Sequence, residues 1–316
     1  MINSLKIYIS DSFDPYENLA IEKLLFDSVE ENTLILYLWQ NENTVVLGQN
    51  QNPWAECNCV LLQNEGGTLA RRLSGGGAVF HDRGNLNFTF ICCSEDYSLE
   101  KNLLVIKEAC ALCGINAEIS GRNDILANGR KFSGNAFYNS NGKSYHHGTI
   151  MISSDLEKMA QFLTPSEAKL SAKGVKSVRS RVINLSEIVP HLSCEEMKSH
   201  MITAFQDVYG LSATHLSING DEILPLKKEY SSHDYLFKKT PPFTVSFEGK
   251  FSWGEIQIGL EIKKGIIENA HIYTDAMDHT LAEKIKTALT GCSFNKKEIE
   301  NALPGETKKD ILSLFK

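Results

Sequence analysis

Arg71-Arg72-Leu73-Ser74-Gly75-Gly76-Gly77-Ala78-Val79-Phe80-His81-Asp82 is the stretch on which the reading of this chain turns. Three consecutive glycines free the backbone to adopt positive φ and to approach a ligand closely. Their N–H groups can line an anion-binding concavity. Two arginines immediately before them add charge-assisted donors suited to phosphate or carboxylate. Standard nucleotide loops are excluded, because neither GxxxxGK[ST] nor GxGxxG is present. His81-Asp82 resembles a dipeptide of metal-dependent phosphohydrolases, but no other spaced His/Asp set completes a metal cage. The flanking arginines and His81-Asp82 favour ligand contact over a solvated glycine turn.

Outward from this loop the chain alternates strand and helix signals. Upstream, Lys6–Ile9 reads as a strand, and Asp14-Pro15 as an N-cap with Pro at the first helical position of a helix running to Val29. Thr33–Trp39 and Thr44–Gly48 read as strands around the turn-rich Gln40-Asn41-Glu42-Asn43, which predicts a hairpin. Downstream come a strand at Phe88–Cys92 and a helix at Lys101–Cys113. Strands follow at Ala117–Ser120, Lys131–Tyr138 and Ser144–Ile152, with helices at Asp155–Phe162 and Glu195–Tyr209, the latter stopped by Gly210. Asp234–Thr240 is irregular, and Pro241-Pro242 is the clearest break. Beyond it, Phe243–Glu248, Gly254–Lys263 and Gly265–Tyr273 read as strands, and Ala276–Leu289 and Lys296–Leu303 as helices. The expectation is an α+β chain with a domain at 1–242 and a smaller α+β domain at 243–316.

Three further segments carry candidate chemistry. Asn128-Gly129 is a type I′ turn signal joining Gly121–Ala127 to Arg130–Ala136. Strand alternation then predicts Lys131 and Ser133 on one face and Phe132 on the other. Lys131 near an acyl phosphate would hold carboxylate and α-phosphate oxygens as charge builds up, and Asp124 across the hairpin would hold Mg²⁺ against phosphates. In Tyr145-His146-His147-Gly148-Thr149 the strand places one histidine on each face, one structural and one facing a pocket. Lys169–Arg181 places five cations in 13 residues, suited to phosphate, an acidic partner or RNA. Asn85 and Asn87 alternate with Leu86 and Phe88, so both can reach one polar site. GxSxG and HExxH are missing, and no nucleophile is paired with a base in sequence.

Composition sets the outer bounds. The 316 residues are 42% apolar and 22% charged, with a net charge of −7. That excludes a disordered chain, a membrane helix and a global attraction to nucleic acid. Met1–Tyr8 is not read as a signal peptide, so the eight cysteines are expected to be cytoplasmic and reduced. Cys110-Ala111-Leu112-Cys113 lies in an apolar helical pattern and reads as core.

Together these segments resemble the lipoate–protein ligase A family, in its bacterial two-domain form. The resemblance runs through Ile9–Ser12 with Asn18-Leu19-Ala20, Leu38–Asn41 with Thr44–Gly48, Asn52-Pro53-Trp54, Arg71–Asn85, Gly121–Ala136, His146–Thr149 and Lys173–Leu185. It implies a biotin/lipoate ligase-like catalytic domain, with mixed β-sheets flanked by helices, plus the accessory domain. It also implies two steps. Lipoate and MgATP give lipoyl-AMP and pyrophosphate, and the lipoyl group then passes to a specific lysine of an acceptor. The family's acceptors are the lipoyl domains of 2-oxoacid dehydrogenase E2 subunits and glycine cleavage H protein. By position, Arg72, Gly77, Ala78, Val79 and Phe80 match the ATP and adenylate contacts, with Asp124 as a metal or adenylate contact. Ser177, Arg179 and Arg181 fall in the adenylate-binding loop. Trp39, Ser74, Gly76, His81, Asn85 and His147 match lipoate-pocket or adenylate positions, and uncharged Val79 and Phe80 suit the acyl chain. Lys131 matches the lysine that touches both lipoate and adenylate. A cytoplasmic monomer, with neither membrane nor nucleic-acid partner, is expected. The alternative is an octanoyl or lipoyl transferase of the same fold, acting through Cys92, Cys93 or Cys113 without an adenylate.

Overall fold

The computed structural model describes residues 1–121, 124–163, 181–237, 245–263, 266–294 and 296–315. Its strands, in chain order, begin with β1 (Ser4–Ile9), β2 (Thr33–Trp39), β3 (Thr44–Leu47), β4 (Thr68–Arg71) and β5 (Val79–His81). There follow β6 (Asn85–Cys93), β7 (Glu118–Ser120), β8 (Asp124–Ala127), β9 (Arg130–Ser140) and β10 (Lys143–Met151). The last four are β11 (Ala213–His215), β12 (Val245–Phe251), β13 (Gly254–Lys263) and β14 (Ile266–Thr274).

Eight of them form one mixed sheet in the order β11-β1-β2-β6-β10-β9-β8-β7. Every residue of β2 is buried, because both faces of the sheet are covered and alternate side chains enter different cores. Leu34, Leu36 and Leu38 pack with Phe88 and Phe90 against helices Leu99–Leu112 and Cys194–Tyr209. Ile35, Tyr37 and Trp39 pack against helix Pro15–Ser28, which brings Leu19, Leu25 and Phe26. Asp14 caps that helix, accepting from the Tyr16 and Glu17 amides, and Pro15 is its first residue.

A small sheet, β4-β3-β5, lies beside the large one. The expected hairpin between β2 and β3 is therefore corrected. β2 pairs with β1 and β6, whereas β3 pairs with β4 and β5. The first half of the intervening turn, Gln40-Asn41, is buried, whereas Glu42 is exposed. Asn41 is wholly inaccessible, and its amide bridges Asn18 and His81. Those bonds carry the chain from one sheet to the other.

The C-terminal strands β12-β13-β14 form a separate antiparallel sheet. It encloses its own core, in which Ile256, Ile258 and Leu260 meet Ile285, Leu289 and Ile299. The helix expected from Ala276 begins at Leu281. Residues 275–280 instead form a loop against the rest of the molecule. The short helix His233–Phe237 overlaps Asp234–Thr240, which was expected to be irregular and whose last three residues lie outside the described ones, and the helix Gly220–Tyr230 was not among the expected elements. Pro241-Pro242 and the boundary at 242/243 lie outside the described residues.

Candidate active site

One row crosses the large sheet from Trp39 on β2 to Asn87 on β6 and Thr149 on β10. The row ends at Gly134 on β9, whose amide donates to the Thr149 hydroxyl at 3.2 Å. The glycine-rich loop and β5 face this row, and between them lies a cavity of about 130 Å³. Its walls carry Trp39, Arg72, Gly76, Gly77, Ala78, Val79, His81, Lys131 and His147 of the residues expected from sequence. Leu19, Val46, Asn87, Gly134, Asn135, Ala136, Gly148 and Thr149 complete it.

Arg72 builds the loop. Its guanidinium is buried and donates to the Ser74 hydroxyl (3.0 Å) and to the carbonyls of Val46 (3.1 Å), Gly75 (2.8 Å) and Gly77 (2.7 Å). Burial lowers its pKa to about 10, which leaves the cation charged at neutral pH. Gly76 sits at φ +91°, a region a Cβ would strain. Arg71 points elsewhere, donating to the carbonyls of Gly48, Gln49, Gln51 and Leu236. Its donors serve the scaffold, not a ligand.

Lys131 lies on the hairpin turned by Asn128 and Gly129, both at positive φ as a type I′ turn requires. Its ammonium is 2.7 Å from Asp124. The expectation that Lys131 shares a face with Ser133 is corrected by a β-bulge. Ile125 pairs with Ser133, but Leu126 pairs with Lys131, so Phe132 is the extra residue. The bulge lays the Lys131 side chain over Gly134, where a Cβ would stand 2.9 Å from Nζ. Ser133 is turned away and wholly buried.

Behind the wall runs a polar chain. His147 Nδ1 meets the buried Glu22 carboxyl at 2.8 Å, and its Nε2 lies 2.7 Å from the Ser74 hydroxyl. Glu22 also accepts from Thr89 Oγ1 at 2.8 Å, which in turn accepts from Trp39 Nε1 at 3.1 Å. Ser74 is thus fully buried behind the cavity. Glu22 was missed in the sequence, although it sits three residues after Leu19 on the buried face of its helix. A charge at that position is the signal. His146 is the structural member of its pair. It lies against Phe88, Phe90 and Phe137, and its Nε2 is 2.7 Å from Asn135 Oδ1.

Other expected residues fall outside the wall. Phe80 is corrected as an acyl-chain contact. β5 alternation turns it to the opposite face, against Phe162 in another core. Asn85 is buried and donates to Asn87 Oδ1 at 2.9 Å. Arg181 is half-buried, and the residues after it dock on the hairpin, with the Ile183 amide donating to the Lys131 carbonyl at 2.9 Å. Ser177 and Arg179 lie outside the described residues. Among the described residues no group of three or more His, Cys, Asp or Glu is placed to hold a metal. No cysteine lines the cavity. Burial raises the thiol pKa of Cys92 to about 12 and of Cys113 to about 11, which suppresses the thiolate that a transferase nucleophile needs. No helix among the described residues is long and apolar enough to cross a membrane.

The C-terminal loop reaches this site. The Gly76 amide donates to the Ala276 carbonyl at 3.3 Å, and the Thr274 amide to the Asn50 carbonyl at 2.8 Å. Asn50 Nδ2 donates to the His279 carbonyl at 3.0 Å, and the His279 ring lies 4.7 Å from that of Tyr138.

Comparison with known proteins matches residues 14–206 to the lipoyl protein ligase A/B catalytic domain. Residues 240–313 match the bacterial lipoate protein ligase C-terminus. Lipoate-protein ligase A of Blochmanniella pennsylvanica is 38% identical over 307 residues, covering 94% of this chain and 91% of that protein. Lipoate-protein ligase A of Bdellovibrio bacteriovorus is 37% identical over 312 residues, covering 96% and 92%. Among solved structures, P. falciparum LipL1 in complex with lipoate aligns with a TM-score of 0.82 at 28% identity, over 98% of this chain and 97% of that one.

Proposed function

The chain belongs to the lipoyl protein ligase A/B catalytic-domain family, and from that premise we propose an ATP-dependent lipoate–protein ligase whose reaction centre is Lys131. The observation that carries this reading is the placement of the Lys131 ammonium in the wall of a mostly apolar cavity beside the glycine-rich loop. An acyl chain fits between Leu19, Val46, Val79 and Ala136, with its carboxylate at the Lys131 end.

In the first step a carboxylate oxygen of lipoate attacks the α-phosphorus of ATP, and pyrophosphate leaves. Two anions must meet, so neutralisation and alignment supply the rate. Lys131 stands between them, and the loop held by Arg72 offers Gly77 and Ala78 to the nucleotide. The triphosphate would be completed by Ser177, Arg179 and Arg181. Docking of Val182 and Ile183 on the Lys131 strand supports this assignment. Asp124 is the carboxylate that would hold Mg²⁺. One carboxylate plus substrate phosphates is a normal set for that ion, whose chemistry is to offset phosphate charge. In the second step the amine of an acceptor lysine attacks the mixed-anhydride carbonyl, and AMP leaves. Lys131 then serves the carbonyl oxygen. Trp39, Gly76, His81 and His147 shape the acyl site, with Ser74 and Asn85 supporting them from behind.

The acceptors proposed are lipoyl domains of 2-oxoacid dehydrogenase E2 subunits and glycine cleavage H protein. The enzyme is proposed as a cytoplasmic monomer with domains at 1–242 and 243–316. The family matches at 14–206 and 240–313 support that division. The absence of a thiol from the cavity weighs against the transferase. The test is incubation with lipoate, MgATP and an apo lipoyl domain. A mass gain of one lipoyl group with release of pyrophosphate is expected. Transfer from octanoyl carrier protein without ATP would replace the ligase by the transferase.

A further inference from the structure

A chain of asparagines that the ligase mechanism leaves unused holds the wall residue His81 from behind. Asn18 is wholly buried, and its Nδ2 donates to the carbonyls of Ser12 (2.9 Å) and Gln40 (2.8 Å). Those acceptors identify that atom as nitrogen. Its Oδ1 accepts from the hydroxyls of Ser10 (2.6 Å) and Tyr37 (3.1 Å). The Asn41 atom 3.0 Å from Asn18 Nδ2 is then an oxygen that shares one of the two amide hydrogens with a carbonyl, since nitrogen there would set donor against donor. Asn41 therefore turns its own Nδ2 toward His81 Nδ1, at 3.1 Å. A ring nitrogen that faces a donor must accept, so the proton of the neutral ring sits on Nε2. Burial, with Arg72 and His147 nearby, lowers the ring pKa to about 3 and keeps it neutral at pH 7.

His81 is 3% exposed and lines the cavity, yet its Nε2 has no hydrogen-bond partner among the described residues. Asn87 lies on the facing wall. One polar atom of its amide bonds to Asn85 at 2.9 Å, and the other has no partner among the described residues. A buried donor without an acceptor is unfavourable. The unpaired Nε2–H of His81, with an unpaired amide atom of Asn87 on the facing wall, marks the place of a ligand acceptor atom.

We propose that Asn18 and Asn41 are positioning residues that fix His81 in its Nε2–H tautomer, so that the ring presents a donor to an acceptor atom of the carboxylic-acid substrate in the cavity. This rests on the ligase reading of that cavity. A site with a committed donor rejects a ligand that leaves it unpaired, so the chain of asparagines contributes specificity as well as affinity.

The test uses the full chain with ¹⁵N-labelled histidine. At pH 7 the spectrum is expected to show His81 protonated at Nε2 and bare at Nδ1, with the Nε2–H signal moving on addition of lipoate. Asn41→Asp puts a carboxylate oxygen against Nδ1. The proton should then appear on Nδ1, and lipoate affinity by calorimetry should fall about 10-fold, the worth of one hydrogen bond. His81→Gln keeps a donor and is expected to bind lipoate more tightly than His81→Phe, which should lose about 10-fold. This second pair carries the test if Asn41→Asp does not fold. Protonation of Nδ1 in the unsubstituted protein would overturn the proposal, as would an Nε2–H signal that ignores lipoate. So would equal affinities of His81→Gln and His81→Phe. If the unsubstituted protein fails to bind lipoate at all, the ligase reading fails instead.

Discussion

Lys131 combines a large chemical role with a small structural one. Its side chain is 34% exposed, and its partner Asp124 is 22% exposed, a setting in which an ion pair contributes about 0–1 kcal/mol to stability. Lys131→Ala should therefore melt close to the unsubstituted protein. Lipoate-dependent pyrophosphate release should fall by about 10²–10³, the usual cost of removing a preorganised charge-stabilising donor. Parallel melting and pyrophosphate assays check both halves. The buried histidines behave in the opposite way. His81 and His146 are each held to a pKa of about 3 by burial, the former also by Arg72 and His147, the latter by His147. The unfolded chain takes up protons below about pH 6.5 that the folded chain refuses. Folding stability should thus be full above that value and decline toward pH 3, by about 1.4 kcal/mol per unit for each ring. Urea unfolding at a series of pH values reads the slope. His146→Gln, which keeps a donor for Asn135, should flatten the slope by one ring's share.

The hairpin of β8 and β9 shows how far single residues in sequence determine an element. Asn128-Gly129 was legible because a type I′ turn demands φ > 0 at both positions, which few residue pairs tolerate. The bulge at Phe132 was not legible. It inserts one residue without any change in side-chain type, and only the partner strand reveals the shifted register. The same limit explains the β2–β3 connection. Gln40–Asn43 has turn composition, but the polarity of Gln40 and Asn41 satisfies a buried network, and local sequence cannot distinguish water from Asn18 as a partner. The bulge makes two glycines separable by experiment. At Gly134 an added Cβ would meet the flexible end of Lys131 at 2.9 Å, so Gly134→Ala should displace the ammonium and depress activity with little loss of stability. At Gly148 it would meet Phe88 Cζ at 2.6 Å and the Gly134 carbonyl oxygen at 2.7 Å. Neither can yield without moving a strand, so Gly148→Ala should cost about 1–3 kcal/mol. Thermal melts beside pyrophosphate assays separate the two. Equal melting points for the two variants would refute the distinction.

At the scale of the molecule, the accessory unit is built into the neighbourhood of the active site. The glycine loop was read from sequence as a ligand contact, and its three glycines divide that task. Gly76 and Gly77 line the cavity, whereas Gly75 packs against the C-terminal loop. The sequence could not show this, because the contact joins residues about two hundred positions apart and consists of backbone alone. It also explains why helix Leu281–Leu289 starts later than its apolar pattern suggests. Residues 275–280 are held as a loop by bonds to Gly76 and Asn50. An added Cβ at Gly75 would collide with the Ala276 carbonyl oxygen, a backbone atom that has no rotamer by which to escape. Gly75→Ala should therefore push the C-terminal unit off the glycine loop while both hydrophobic cores remain intact. Small-angle scattering is expected to show a larger radius of gyration for Gly75→Ala, with an unchanged circular dichroism spectrum. Asn50→Ala, which removes one side-chain bond and no steric fit, should leave the scattering curve near that of the unsubstituted protein. Superimposable curves for Gly75→Ala and the unsubstituted chain would mean that the loop accommodates a methyl group, and that close packing at Gly75 does not hold the accessory unit in place.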